Sequence, residues 1–270
     1  MVESEAKTVQ PFLHVSGNPI YFQQDWGTGI GGGLWSTGAA LAKYFDTAHA
    51  AQQLLPSASS RKRTTTFLEL GSGNGLLSVC WMAMLIQQTR MENEKEGGIP
   101  VYPNRHKVIV TDTVEHLSLI RQTLGANSHV VKDTQLEVHV QEHLWGNFVE
   151  DRDTSQDVVR GDDASLRLRL EQQTFDYIVG SDVAYRRELY EPLIASLQRF
   201  SHHGTVILLG CTMADTTPEF FDLLRDAGFV YTRLADHVMP PEYQGQQTFG
   251  IFIVRRRQRQ QQQQQRNWNS

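Results

Sequence analysis

The chain has 270 residues, 40% of them hydrophobic, enough to build a substantial core in one large domain or two small ones. Its 25 Lys and Arg against 30 Asp and Glu leave a net charge of -5, so the basic footprint of a protein that draws its affinity from phosphates is missing and stable nucleic-acid binding is not expected. Cys80 and Cys211, the two cysteines, have no CxxC partner, which excludes a disulfide framework and a Cys-based zinc site.

The first ten residues lack the basic-then-apolar layout of a signal peptide, and the longest mostly apolar run, Leu76 to Ile86, is too short to span a bilayer. A soluble protein of the cytoplasm is expected, with the nucleus as a second location and no membrane partner.

After an extension over residues 1–20, short β-rich runs alternate with amphipathic segments across residues 21–255, the pattern of an open sheet covered by helices on both faces. Strands are expected at Thr66–Leu70, Lys107–Thr111, Leu136–Val140, Phe175–Gly180, Thr205–Gly210, Phe229–Leu234 and Phe249–Val254. Helices are expected at Leu76–Gln87, Val114–Leu124, Arg187–Phe200 and Pro218–Ala227, the last with Thr217 as N-cap, Pro218 at its first position and Gly228 just beyond its end. Polar, turn-rich insertions are expected at residues 87–106 and 150–173, and a disordered Gln/Arg-rich tail at 256–270. Only about 14 residues, with Pro240, Pro241 and Gly245, separate the last two strands, so the final strand should return antiparallel on an otherwise parallel sheet.

The sharpest local signal is Phe67-Leu68-Glu69-Leu70-Gly71-Ser72-Gly73-Asn74-Gly75-Leu76, an apolar strand, an acid, three alternating glycines and a helix. Glycines there allow positive φ and remove Cβ atoms that would obstruct a ligand. A dinucleotide loop wants G-x-G-x-x-G, and here Leu76 holds the third glycine's place. Glu69 would repel a diphosphate but could accept from the ammonium of S-adenosylmethionine, which suits the loop better than a dinucleotide; a purely structural turn is the third reading.

Asp112 closes the second strand, where an acid either receives the ribose hydroxyls of a nucleoside or caps the next helix. Trp145, after the third strand, and Trp35, in a glycine-rich stretch, either stack on an adenine or belong to the core. Asp182 and Tyr185, beyond the fourth strand, together line an entrance, or Asp182 caps the following helix.

The segments QDW (24–26), GLWSTGAALAKYF (33–45), LELGSGNG (68–75), VTD (110–112), HLWG (143–146), FDYIVGSDVAY (175–185) and PLIASL (192–197) together resemble the family 16 seven-β-strand protein lysine methyltransferases, the methyltransferase-like group that modifies chaperones, the valosin-containing ATPase and translation elongation factors. The resemblance is collinear from about Tyr21 to Val254. It implies a Rossmann-like α/β methyltransferase sheet of seven strands, S-adenosylmethionine as cofactor, and a protein substrate presenting a lysine; it leaves the oligomeric state open. It also implies cofactor contacts from Trp35, Gly71, Ser72, Gly73, Asp112, Trp145 and Ser181, with Asp182 and Tyr185 as the acid-x-x-aromatic pair that holds the lysine. Ser36 stands where the family often has Asp, and Ser181 where Ala is common; Ser is small enough for both places. Methyl transfer to an amine needs alignment rather than a metal or a covalent intermediate, so Asp182 is expected to position the amine first and to act as a base only secondarily. The alternatives are a small-molecule or nucleic-acid methyltransferase on the same fold, for which the nucleic-acid type would show an Asn/Asp-Pro-Pro-aromatic sequence where this chain has SDVAY, and an inert cofactor-binding interaction protein.

Overall fold

The computed structural model describes residues 10–55, 65–95, 106–148 and 170–257. All seven expected strands form one sheet, here numbered β3 (Thr66–Leu70), β4 (His106–Asp112), β5 (Leu136–Glu142), β6 (Phe175–Ser181), β7 (Ser201–Thr212), β8 (Phe229–Arg233) and β9 (Phe249–Arg256). Their order is β5-β4-β3-β6-β7-β9-β8. Neighbours pair in parallel except along β9, which runs antiparallel to both β7 and β8. The strand order reverses between β3 and β6, the switch point at which ligands of open α/β sheets bind.

Two helices precede the sheet, α1 (Ser36–Tyr44) and α2 (Ala48–Leu54), in a region for which no helix was expected. They are followed by α3 (Leu76–Lys95), α4 (Leu117–Ala126), α5 (Ser128–Val131), α6 (Tyr190–Phe200) and α7 (Pro218–Asp226). Every residue of α3 from Leu76 to Ile86 is buried. A helix that is apolar all round must be covered on both sides. The sheet covers one side; the other is covered by α1, α4, α5 and a hairpin of β1 (Leu13–Val15) and β2 (Asn18–Ile20). Trp81 is the hub of this layer, stacked on Phe67 at 4.7 Å and meeting Phe45 edge-on at 5.7 Å. Helices α6 and α7 cover the opposite face through Leu193, Leu197, Phe220 and Leu224.

The structure moves several boundaries. The residues read as an N-terminal extension up to 20 include a hairpin whose Val15 and Ile20 are fully buried; its two-residue turn, Ser16 and Gly17, has φ of 51° and 78°, the geometry that matches strand twist. Asn127 fastens the exit of this hairpin, accepting from the Tyr21 N–H at 2.9 Å and donating to the Tyr21 carbonyl at 2.6 Å. Helix α3 continues eight residues beyond the expected end at Gln87, because Gln88 to Lys95 contain no helix breaker. Strand β7 begins four residues before the expected Thr205, at Ser201. Helices expected from Val114 and Arg187 open instead as 3-10 turns at Val114–His116 and Arg187–Leu189. Residues 96–105 and 149–169, which hold half of the first expected insertion and most of the second, and 258–270 of the expected tail lie outside the described residues; residues 87–95 of the first insertion are helix and His106 is strand. No helix among the described residues is long and apolar enough to cross a membrane.

Candidate functional site

The carboxyl ends of β3, β4, β6 and β7 open onto a cleft of about 660 Å³, within the size range of small-molecule sites. Segment 30–38 closes it from the N-terminal side and the loop after β5 from another, so the cleft draws on residues more than 180 positions apart, from Ile30 to Thr216. Its lining includes Trp35, Gly71, Ser72, Gly73, Asp112, Trp145, Ser181, Asp182 and Tyr185. Of the residues singled out in the sequence, Glu69 is absent from that lining.

The glycine loop follows β3 with φ of 63°, 60° and 83° at Gly71, Gly73 and Gly75. A Cβ on Gly71 would lie 2.7 Å from the Trp145 ring, and one on Gly73 would lie 2.3 Å from the Gly31 carbonyl oxygen. The glycines are therefore required by the protein's own close packing, which brings the Trp145 indole and the 30–33 segment against the loop.

The N-terminal end of α3 is electrostatically filled from inside. Glu69 is 2% exposed and turns beneath the loop. Its Oε2 accepts from the Ser78 backbone N–H at 3.0 Å and from the Ser78 hydroxyl. Four loop amides are also committed: Ser72 N–H to the Thr111 carbonyl, Gly73 N–H to Asp112, Gly75 N–H to the Ser72 carbonyl and Leu76 N–H to the Asn74 side chain. The N-terminal turn of α3 is thus partly satisfied by a buried acid of the protein itself, where a dinucleotide fold offers its amides to a pyrophosphate.

Asp112 is buried and makes three bonds. Oδ2 accepts from Gly73 N–H at 2.6 Å; Oδ1 accepts from Thr113 N–H and His116 Nδ1, each at 2.7 Å. His116 Nε2 lies 3.0 Å from the Thr28 carbonyl oxygen, so a doubly protonated ring satisfies both acceptors, and the Asp112 carboxylate raises the His116 pKa above its ordinary value. Neither Asp112 nor His116 was read as a clamp in the sequence, though the i,i+4 spacing of Asp112 and His116 was visible there. With about four lone-pair positions on a carboxylate, the three bonds to Asp112 leave about one position unfilled.

Asp182 has φ of 53°, a left-handed conformation uncommon outside glycine. Its Oδ2 accepts from Thr37 N–H at 3.2 Å and Thr37 Oγ1 at 2.7 Å, and its Oδ1 accepts from Thr212 Oγ1 at 2.6 Å. It caps the first turn of α1, 145 residues away, rather than the helix that follows it. Tyr185, three residues on, lines the same cleft. Trp35 is 43% exposed; its indole N–H donates to the Ile30 carbonyl at 3.0 Å and its ring meets Trp26 edge-on at 6.0 Å. Thr37, His116 and Thr212 are the supporting residues that sequence reading passed over.

Buried ionisable groups, in the site and at the far end of β4, should set a pH optimum for stability. Burial pushes His106 and His143 down to about 4 and Glu69 up to about 7. As pH falls from 6.5 to 4.5 the unfolded chain binds protons on both histidines that the native state refuses, while Glu69 opposes with one proton that the native state already holds. The net of one proton predicts a loss of about 1.4 kcal/mol per pH unit on acidification. Above pH 6.5 the direction reverses, because the native state of Glu69 and His116 then holds protons the unfolded chain has released. Thermal melts across pH 4.5–8.5 should peak near 6.5; a melting temperature still rising at pH 8 would refute this assignment.

A sequence profile of the family described as "Lysine methyltransferase" matches residues 15–227. Among curated proteins, the chain is 23% identical over 175 residues to the Saccharomyces cerevisiae protein-lysine N-methyltransferase EFM6, covering 65% of this chain and 60% of that protein. It is 24% identical over 191 residues to the Xenopus tropicalis protein N-lysine methyltransferase METTL21A, covering 70% of this chain and 65% of that one. The matched segments therefore span less than two thirds of either relative. Among solved structures, the CurJ carbon methyltransferase has the same fold at a TM-score of 0.50 and 12% identity, over 82% of this chain and 55% of that one. With most of the described sheet and every loop of the cleft inside the matched span, the chain belongs to the lysine methyltransferase family.

Proposed function

We propose that the protein is an S-adenosylmethionine-dependent N-methyltransferase acting on a lysine side chain of another protein. The observation that carries the cofactor is the commitment of the Ser72, Gly73, Gly75 and Leu76 amides to acceptors of the protein itself, with Glu69 held on Ser78, which favours a nucleoside without phosphates. The cleft fits such a ligand in kind: Trp35 and Trp145 offer aromatic surface, Leu76 and Leu77 an apolar wall, and Asp112 one remaining acceptor position. Trp35, Gly71, Ser72, Gly73, Asp112, Trp145 and Ser181 would hold the cofactor. Glu69 would instead fix the loop from below. When bound, S-adenosylmethionine supplies a methyl group already activated by a cationic sulfur.

The chain's own contribution is alignment. Asp182, immobilised by three donors, joins the ends of β6 and β7 to the start of α1, and with Tyr185 it would hold the amine in line. Its carboxylate is partly neutralised by those donors, which lowers its power to keep an incoming amine protonated. The proposed targets are proteins such as a chaperone, an AAA ATPase or an elongation factor, by resemblance to the methyltransferase-like group. The proposed compartment is the cytoplasm or nucleus, in keeping with two buried, unbridged cysteines.

Titration calorimetry tests the reading. Saturable heat is expected from S-adenosylmethionine and none from NAD; labelled methyl should then enter lysate proteins at lysine, as located by mass spectrometry. Failure to bind S-adenosylmethionine would overturn the proposal.

A further inference from the structure

Among the described residues three carboxylates line the cleft: Asp112, Asp182 and Asp215. The first two are each held by three donors. Asp215 differs. It lies in the turn between β7 and α7, is exposed, and no donor or cation among the described residues reaches its carboxylate.

Its backbone is nevertheless fixed. The Asp215 N–H donates to the Thr212 carbonyl at 3.1 Å, and the Tyr190 hydroxyl donates to the Asp215 carbonyl at 3.3 Å. The next residue, Thr216, is buried and donates through Oγ1 to the Ala184 carbonyl at 2.9 Å, tying the turn to the segment that carries Asp182 and Tyr185. The two arginines that follow Tyr185 face other acids: Arg186, which also lines the cleft, lies 3.7 Å from Glu188, and Arg187 lies 2.6 Å from Glu219. An uncompensated negative charge on a fixed backbone therefore remains at the rim of a cleft whose other described carboxylates are bonded to the protein itself.

We propose that Asp215 is the specificity residue that receives the ammonium of the incoming lysine, ahead of its alignment by Asp182 and Tyr185. The inference rests on the lysine methyltransferase reading and deepens it. A free lysine is protonated near neutral pH, with an ordinary pKa near 10.4. It is the charged form that a rim carboxylate attracts, and attraction of this kind speeds encounter and weakens with salt. No bond is made or broken at Asp215. The ammonium is held intact there and loses its proton to water farther along, where the remaining carboxylates are already satisfied.

The test uses the full chain, tritiated S-adenosylmethionine and a heat-treated lysate as the source of acceptor lysines, with Asp215→Asn and Asp215→Glu beside the unaltered protein. Asp215→Asn should raise the lysate concentration needed for half-maximal incorporation about tenfold, with the saturated rate little changed. Its dependence on salt should be flatter, its cofactor affinity and melting temperature unaltered, and Asp215→Glu should recover most of the loss. Unchanged half-saturation and salt response in Asp215→Asn would overturn the assignment while leaving the methyltransferase reading intact. Absence of cofactor binding or methyl transfer by the unaltered protein would remove both.

Discussion

Asp182→Ala is expected to abolish methyl transfer and to lower the melting temperature by roughly 8 °C. The substitution removes the acceptor for three donors, two of them from the fully buried Thr37, and bonds to a charged group contribute about 1.5–3 kcal/mol each before neighbours compensate. It also places alanine at φ 53°, a conformation that aspartate and asparagine tolerate better. The first turn of α1 would lose its hold on the ends of β6 and β7, and the cleft would lose the support that Trp35 has as the residue before that turn. Asp182→Asn keeps the left-handed conformation and one acceptor oxygen, so it should recover a good part of the melting temperature and less of the turnover. Circular-dichroism melts and single-turnover methyl transfer separate the two effects. Full turnover in Asp182→Ala would eliminate the residue from alignment.

Gly73→Ala should have the second largest effect. At φ 60° the new Cβ is strained whatever surrounds it, and here it would meet a backbone oxygen, that of Gly31, which cannot rotate aside. Strain and overpacking together cost about 3 kcal/mol, and relief requires the 30–33 segment to lift away from the loop. The bond from Gly73 N–H to Asp112 would be lost with it. Affinity for S-adenosylmethionine is expected to fall on the order of 100-fold in calorimetry. Gly125→Ala is the control: it sits in α4 with open space around it, and alanine there should stabilise the protein by about 0.5–1 kcal/mol. If Gly73→Ala and Gly125→Ala behave alike, close packing against Gly31 is not what the loop requires.

What the sequence disclosed was set by how local each signal is. The seven strands were legible because each is a short apolar run bounded by turn residues, and the antiparallel course of β9 followed from a connection too short and too rich in proline for a crossover helix. The β1–β2 hairpin was within reach, since Ser16-Gly17 between LHV and NPI is a two-residue turn signal that went unread. Helix α1 was hidden by the glycine-rich stretch before it. The partners of Asp182 were beyond reach, because local pattern does not report which residue 145 positions earlier will present its hydroxyl. Glu69 shows the same limit from the other side: its place at the strand end was correctly noted, but its burial depends on Ser78, one helical turn into α3, competing for the carboxylate that a ligand was expected to receive.

The placement of β9 between β7 and β8 has a consequence for biogenesis. Strand β8 leaves the ribosome before the neighbour it must pair with exists, so β7 waits with an open flank while β8 has α7 to pack on but no strand to pair with. Cooperative closure of this half of the sheet is thus deferred until residues 249–256 emerge. A nascent chain stalled before that point carries an unsatisfied template for foreign strands, which makes arrested translation a more hazardous state for this protein than thermal opening of the finished molecule.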